Sequence, residues 1–343
     1  MKKRITYSII LAFIFISISF AQELETNVSK RGTTAAPFLK ISQGARASGM
    51  GSAFVAVADD PSAIYWNCAG LARLQKNGVV FDHTQWIADI NYLFMGASIH
   101  LGDYGSFGLS FISSNYGDMK VTTIDEPNGT GEVFNASDLA VSVAYALNLT
   151  DNFSIGFNPK VVYQGIWKMS SFAMAMDMGV LYNTPFKGVT LGMSITNFGQ
   201  KMQLSGKSNL ILYDQDESST GNNDKIPASL NTDNWDLPLG FKFGISYTPF
   251  NSEAHKLVLA MDASHPNDNY ESINMGAEYA FNQIFFLRGG FKSLFLEKTE
   301  ESFTLGAGVK QNLLGNINIY LDYAYASFGR LSSIQKFSFG INF

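Results

Sequence analysis

Gln335-Lys-Phe-Ser-Phe-Gly-Ile-Asn-Phe343 is the stretch whose reading decides the fold. Phe337, Phe339, Ile341 and Phe343 share one face of an extended segment, while Ser338, Gly340 and Asn342 share the other. Successive side chains of a strand point to opposite sides, so this is a period-2 strand with one apolar face and one small or polar face. In a soluble sheet the apolar face would meet a core and the other would meet water. The pattern recurs along the chain, and its polar face is too uniform for a sandwich core. A closed barrel explains both faces, with lipid outside and a polar lumen inside.

The other end of the chain agrees. Lys2, Lys3 and Arg4 precede an almost wholly apolar run from Ile5 to Phe20, and Ser19-Phe20-Ala21 forms a small-x-small cleavage site before Gln22. Residues 1–21 read as a secretory signal peptide, short for a spanning helix. No other run approaches the length a membrane helix needs, and a chain that is exported, membrane-embedded and free of spanning helices has only the barrel left. A last strand ending on Phe343 also looks like the signal bacteria use to assemble outer-membrane barrels. The expected location is the bacterial outer membrane.

Composition narrows the function. Only 15% of the 343 residues are charged, 14% are aromatic, and 31 are glycine. Low charge with many aromatic residues suits a barrel with an apolar band and aromatic girdles. The formal net charge of -5 does not suit a nucleic-acid binder, which needs a basic surface. Cys68 is the single cysteine, so the chain holds no internal disulfide and no cysteine-based metal cage.

The alternation marks strands near 78–84, 91–101, 104–112, 136–147, 152–163, 172–183, 188–197, 237–248, 256–263, 270–281, 284–292, 301–311, 316–325 and 335–343. That makes an all-β, fourteen-stranded antiparallel transmembrane barrel over residues 78–343, the even count expected of a bacterial single-chain barrel. Every second connection is short. The others are mostly longer, and two of them, 113–135 and 198–236, are long and polar. This places both termini and the short turns in the periplasm and the long loops outside the cell.

Residues 22–77 do not alternate and cannot be barrel wall; they read as a periplasmic start and a lumenal hatch. Gly44, Gly49 and Gly51 suit close backbone approach, and Asp59-Asp60-Pro61-Ser62 reads as a turn or a helix start. Four pieces of this segment carry a resemblance: Pro37-Phe38-Leu39, Gly44-x-Arg46-x-x-Gly49-Met50-Gly51, Ala58-Asp59-Asp60-Pro61, and Trp66-Asn67-x-Ala69-Gly70-Leu71. Together they resemble the N-terminal signature of the PorV/PorQ family, outer-membrane barrels related to the FadL-type fatty-acid channels. Cys68 stands where both families usually place proline.

The resemblance implies a FadL-like barrel with an N-terminal plug. It also implies one of two roles. PorV-type proteins act in type IX protein secretion as adaptors, binding the C-terminal sorting domains of secreted cargo and associating with a large translocon barrel. FadL-type proteins instead take up long-chain fatty acids or other hydrophobic small molecules. A purely structural envelope barrel is a third class.

Alternation also yields the lumen charges: Lys160, Asp177, Lys242, Asp262, Glu278, Arg288, Lys310 and Asp322, four of each sign. A sign-selective pore would show an excess, so balance points to pairing with a plug. Arg46, inside that plug, reads as a structural pin satisfied by Asp59, Asp60 or a lumen carboxylate rather than as a ligand site. His83, His100, His255 and His265 have no metal-ligand spacing, and no nucleotide or nucleophile motif occurs. No metal, cofactor or catalysis is expected. Met174, Met176 and Met178 form an outward row, suited to lipid or to a hydrophobic partner.

Phe343 carries the assembly reading. Its removal is expected to leave unfolded, protease-sensitive chain in the periplasm; heat-modifiable barrel in the outer membrane of that variant would contradict it.

Overall fold

The computed structural model describes residues 30–215, 218, 225–313, 317–331 and 333–343, with Gly32–Phe343 forming one compact unit. The expected signal peptide and most of the polar run 214–224 lie outside the described residues.

Fourteen strands make the wall: β1 Gly78–Gln85, β2 Asn91–His100, β3 Ser106–Lys120, β4 Val133–Thr150, β5 Phe153–Ile166, β6 Met169–Asn183 and β7 Val189–Gly199, then β8 Gly240–Asn251, β9 His255–Pro266, β10 Ser272–Phe281, β11 Phe285–Leu294, β12 Phe303–Asn312, β13 Asn318–Ser327 and β14 Ser333–Asn342. Each pairs antiparallel with the next, and β14 returns to β1 from Gly78↔Asn342 to Gln85↔Gln335. The ring therefore has no open edge, which removes the unpaired backbone groups a sheet edge would expose. No helix among the described residues is long and apolar enough to cross a membrane.

Every expected strand forms, and the alternation is visible in burial. On β14, Ile334, Lys336, Ser338 and Gly340 are buried while Gln335, Phe337 and Phe339 are exposed. On β4, Ala140, Ser142 and Ala144 are buried between exposed Val141, Val143 and Tyr145.

The ends of β3 and β4 run further than the sequence suggests. Asp118↔Asn135, Met119↔Phe134 and Lys120↔Val133 continue the hairpin beyond a bulge, so the connection shrinks to 121–132. These residues read as loop because they are polar. Backbone pairing across a hairpin satisfies N–H and C=O whatever the side chains are. β3 to β6 have 14 to 18 residues, against 8 to 12 in the other strands. At about 3.3 Å per residue they stand above the rim at the long-connection end. There β5 and β6 are joined by Trp167 and Lys168 alone, whereas 200–239 carries its own small pairing of Leu210–Tyr213 with Ile226–Ser229.

Residues 36–73 pack against the inner face of the ring as a chain of short turns: Pro37–Lys40, Ala45–Gly49, Ala63–Trp66 and Cys68–Arg73. Pro37 sits at the first helical position of its turn, where its fixed φ and missing N–H cost nothing. Met50, Phe54, Ile64, Trp66 and Leu71 are each at most 1% exposed, so this segment supplies its own apolar filling.

Its backbone comes unusually close to the wall. Gly156 on β5 faces Cys68 and Ala69, Gly179 on β6 faces Asn67, and Gly192 on β7 and Gly244 on β8 face Val55 and Ala56. Gly276 on β10 and Gly290 on β11 then face Met50 and Gly51, and Gly306 on β12 faces Gly49. A Cβ at Gly156 or Gly192 would stand 2.5 Å from Ala69 N or Val55 O, closer than real contacts allow. The intervening strand β9 replaces glycine by an acceptor: Asp262 Oδ2 receives the N–H groups of Phe54 at 2.7 Å and Val55 at 2.9 Å.

Gly276→Val, which drives a side chain into the Met50 carbonyl, is expected to destabilise the barrel by at least about 1–3 kcal/mol, the usual cost of overpacking. Gly289→Val, at a position with nothing within 4 Å, serves as the control and should leave the heat-modification temperature unchanged.

Candidate functional site

The charged residues at the short-connection end of the lumen form one connected group. Arg46 leaves the helix Ala45–Gly49 and forks onto Glu278 of β10, its Nε and Nη2 each 2.8 Å from a carboxylate oxygen. Its Nη1 reaches Asp59 at 2.5 Å and Asp60 at 3.0 Å. Glu278 also accepts from Arg288 Nε of β11 at 2.7 Å, and Arg288 Nη1 continues to Asp322 of β13 at 2.6 Å. The planar guanidinium keeps its charge when buried and fits a carboxylate bidentately, which lysine does not. Two arginines thus satisfy four carboxylates and tie the Asp59-Asp60 turn to three strands.

The remaining sequence-predicted charges fall elsewhere on the same inner face. Lys160 pairs with Asp177 at 2.7 Å, and Asp177 also accepts from Asn197 N at 2.7 Å and Asn158 at 2.9 Å. This fills a register shift between β6 and β7. Lys242 lies 5.0 Å over the ring of Trp66, and Lys310 lies 5.5 Å over that of Tyr320. Asp262 holds the Phe54 and Val55 N–H groups already described.

The signature residues of the N-terminal segment are hydrogen-bonding and packing residues. Phe38 O and Leu39 O accept from Tyr92 at 2.9 Å and Tyr65 at 3.1 Å. Gly44 and Gly51 adopt φ of 80° and 63°, and Gly51 N donates to Thr304 at 2.9 Å. Met50 packs with Phe54, Trp66 and Val258. Trp66 Nε1 donates to Gln43 O at 3.0 Å. Asn67 Nδ2 donates to Val55 O at 2.9 Å and to Val180 O at 3.0 Å, joining the segment to β6. Gly70 abuts the Ala58 carbonyl, Pro61 lies beside Gly78, and Leu71 lies beside Gly108. Cys68 is buried among Leu71, Ala144 and Ala146, and burial pushes its thiol pKa up, away from thiolate chemistry. Phe343 is exposed on the outer face, its N–H held by Asn77 O at 2.9 Å.

Sequence reading missed Asp82, Asp138, Lys256, Lys292 and Lys336. Each has the parity of its strand's inner face, so the alternation that found the other eight could have found them. Lys336 and Asp82 share rows with Ser338 and Thr84, which are small enough to have stood for the whole face. Asp138 takes Tyr116 at 2.5 Å and Gln164 at 2.9 Å, and Gln164 in turn accepts from Ala36 N at 2.8 Å. Lys292 pairs with Glu301 at 2.6 Å. Among the described residues no group of three or more His, Cys, Asp or Glu is arranged to hold a metal ion.

The closed antiparallel wall is a fold shared with solved FadL-type structures. The chain is similar to the toluene transporter TodX of Pseudomonas putida at 12% identity, covering 88% of this chain and 97% of that one, with a TM-score of 0.56. The monoaromatic hydrocarbon channel CymD gives 12% identity, 87% and 96% coverage, and a TM-score of 0.53. A Pseudomonas aeruginosa FadL homologue gives 12%, 86% and 96%, and 0.51. At such identities these likenesses establish fold. No curated protein sequence matches the chain. Residues 24–174 match the family model described as type IX secretion system protein PorV. The match takes in the N-terminal wording and bears out the resemblance to the PorV/PorQ family, and the barrel is FadL-like in fold.

Arg46→Ala leaves Glu278, Asp59 and Asp60 short of their shared cation and is expected to cost about 3–5 kcal/mol, the price of breaking a buried pair. In a double-mutant cycle on urea unfolding, Glu278→Gln should cost much less in the Arg46→Ala background than alone. Additive losses would mean that the pair is not coupled.

Proposed function

We propose that this barrel works in type IX protein secretion as a non-catalytic adaptor, with residues 22–77 acting as a permanent hatch. In this reading the wall spans the outer membrane, the termini and short turns face the periplasm, and the long connections face outward. The partners are secreted proteins with C-terminal sorting domains and a large translocon barrel. The observation that carries the proposal is how 36–73 are held. Glycines on seven strands admit the backbone to contact distance, and the Arg46 network fixes the Asp59-Asp60 turn. A segment so bound is what a permanent hatch requires, and the PorV-model match supplies the secretion context.

Partner contact then falls to surfaces outside the lumen. The raised hairpins β3 to β6 and the connection 200–239 offer one such surface. The outward row Met174, Met176 and Met178 on β6 offers another, with Met174 56% exposed. Methionine suits a partner whose shape varies.

A second reading, passage of a hydrophobic compound, draws on a mostly apolar cavity of about 570 Å³ at the long-connection end, with Met119, Ile166, Met202, Leu204 and Trp235 in its lining. Long-chain fatty acids are the expected class under that reading.

Recovery of the barrel from native outer membrane should bring a large barrel or cargo with it. Replacing Met174, Met176 and Met178 by Ala, or trimming 214–224, should reduce that recovery while the barrel stays heat-modifiable. Undiminished recovery by both variants removes these surfaces from the adaptor model. Faster uptake of a long-chain fatty acid by cells carrying the intact barrel would replace it with the channel reading.

A further inference from the structure

The connection 200–239 carries an apolar element that is not part of the wall. Ser205 and Gly206 pair with Ser170 and Met169 at the raised end of β6, and Lys207 N donates to Lys168 O at 3.1 Å. The chain then turns through Lys207–Asn209 and enters a two-stranded ribbon, Leu210–Tyr213 against Ile226–Ser229. Leu210, Ile211, Leu212 and Tyr213 are 61%, 38%, 66% and 50% exposed. Neighbours on a strand point to opposite faces, so large apolar side chains stand open on both faces of the ribbon.

The register decides which edge of the ribbon is open. Leu230 N donates to Asn209 O at 2.8 Å, next in the ladder to Leu210↔Ser229. Opposed residues of an antiparallel ladder alternate between exchanging backbone bonds and turning those groups away. Ile211↔Ala228 and Tyr213↔Ile226 are then the bonded pairs, and the amides and carbonyls of Leu210 and Leu212 point to the free edge. Pro227 agrees, since it has no N–H and stands opposite Leu212 in a pair that needs none. The same proline blunts the outer edge of Ile226–Ser229, where its missing donor falls. The edge of Leu210–Tyr213 has no such block, and its outward amides find no hydrogen-bond partner among the described residues.

What covers this edge must supply backbone groups as well as apolar side chains. Lipid meets only the second need, and unmet amides are disfavoured in hydrocarbon. A second copy of the same strand would meet both. However, residues 214–224 hold Asp214, Asp216, Glu217 and Asp224 and no Lys or Arg, so self-pairing would bring two acidic runs together. A strand from a different protein with basic flanks meets both needs and matches the charge.

We propose that the open edge of Leu210–Tyr213 takes an extended segment of a protein partner as an added strand, one with alternating apolar residues flanked by Lys or Arg. Backbone groups of the segment pair with those of Leu210 and Leu212, its apolar side chains lie beside theirs, and its cations meet the acidic run. The inference rests on the adaptor reading in taking that partner to be a protein met outside the cell.

The test titrates the purified full-length barrel in detergent into a fluorescent peptide, Lys-Val-Thr-Val-Thr-Val-Lys, read by anisotropy. Saturable binding that weakens as salt is raised is expected. The same peptide N-methylated at its Val and Thr amides keeps charge and side chains but loses its donors, and should bind at least about tenfold more weakly. Leu212→Pro removes an outward donor without touching a ribbon bond, and should also cost at least about tenfold while the barrel stays heat-modifiable. The N-methylated peptide is read on the unaltered barrel, so it decides whatever that substitution does to the ribbon. No binding by the parent peptide, or equal binding by its N-methylated form, overturns the proposal. Binding lost when the barrel is moved from detergent into phosphatidylcholine nanodiscs assigns the edge to lipid and overturns it too. If Leu212→Pro brings a large barrel or cargo from native membrane in undiminished yield, the ribbon is not the docking strand and the adaptor reading stands without it.

Discussion

The closest approach of two backbones governs this molecule. A wall strand and an inner segment can touch at contact distance only where no Cβ intervenes, and here that condition is met on β5, β6, β7, β8, β10, β11 and β12. Each of these glycines weakens its strand, because glycine loses the most conformational freedom on folding and packs no side chain. Around a closed ring the loss is offset by hydrogen bonds that no edge leaves unmade. Glycine content in the barrel is thus a record of what the barrel encloses.

The ion network follows from the same closeness. Once 36–73 lie inside, Arg46 is held beside Glu278 and cannot reach bulk water with its whole side chain. Its charge persists, so the wall must supply carboxylates, and Glu278 must then be shared with Arg288. Such a chain is costly to break at any link and contributes little net stability as a whole. What it adds is position. A turn tied to three strands has one seat in the lumen.

Much of this was legible in the residues. Period-2 alternation on β4, β7, β13 and β14 fixed wall and lumen faces because the two solvents differ so sharply. Lack of alternation set residues 22–77 apart from the wall, and 36–73 of them pack on its inner face. Other features were hidden for physical reasons. The extension of β3 and β4 rests on backbone bonds, to which Asn135 and Asp118 give no apolar signal. The partners of Arg46 depend on which strands face which turn. Asp59 and Asp60 are near in sequence and could be named, but Glu278 lies 232 positions away. Asp82 carried the right parity, yet its full burial is a property of the packed interior alone.

The glycine contacts also impose an order of events. They run from Gly156 on β5 to Gly306 on β12, so the inner segment is touched by more than half the wall. The seam joining β1 to β14 brings together residues from opposite ends of the sheet, the slowest kind of pairing for a chain to find. A segment gripped on so many sides has no room to thread in after that seam has formed. Assembly is therefore expected to wrap the wall around the inner segment before the last strand closes.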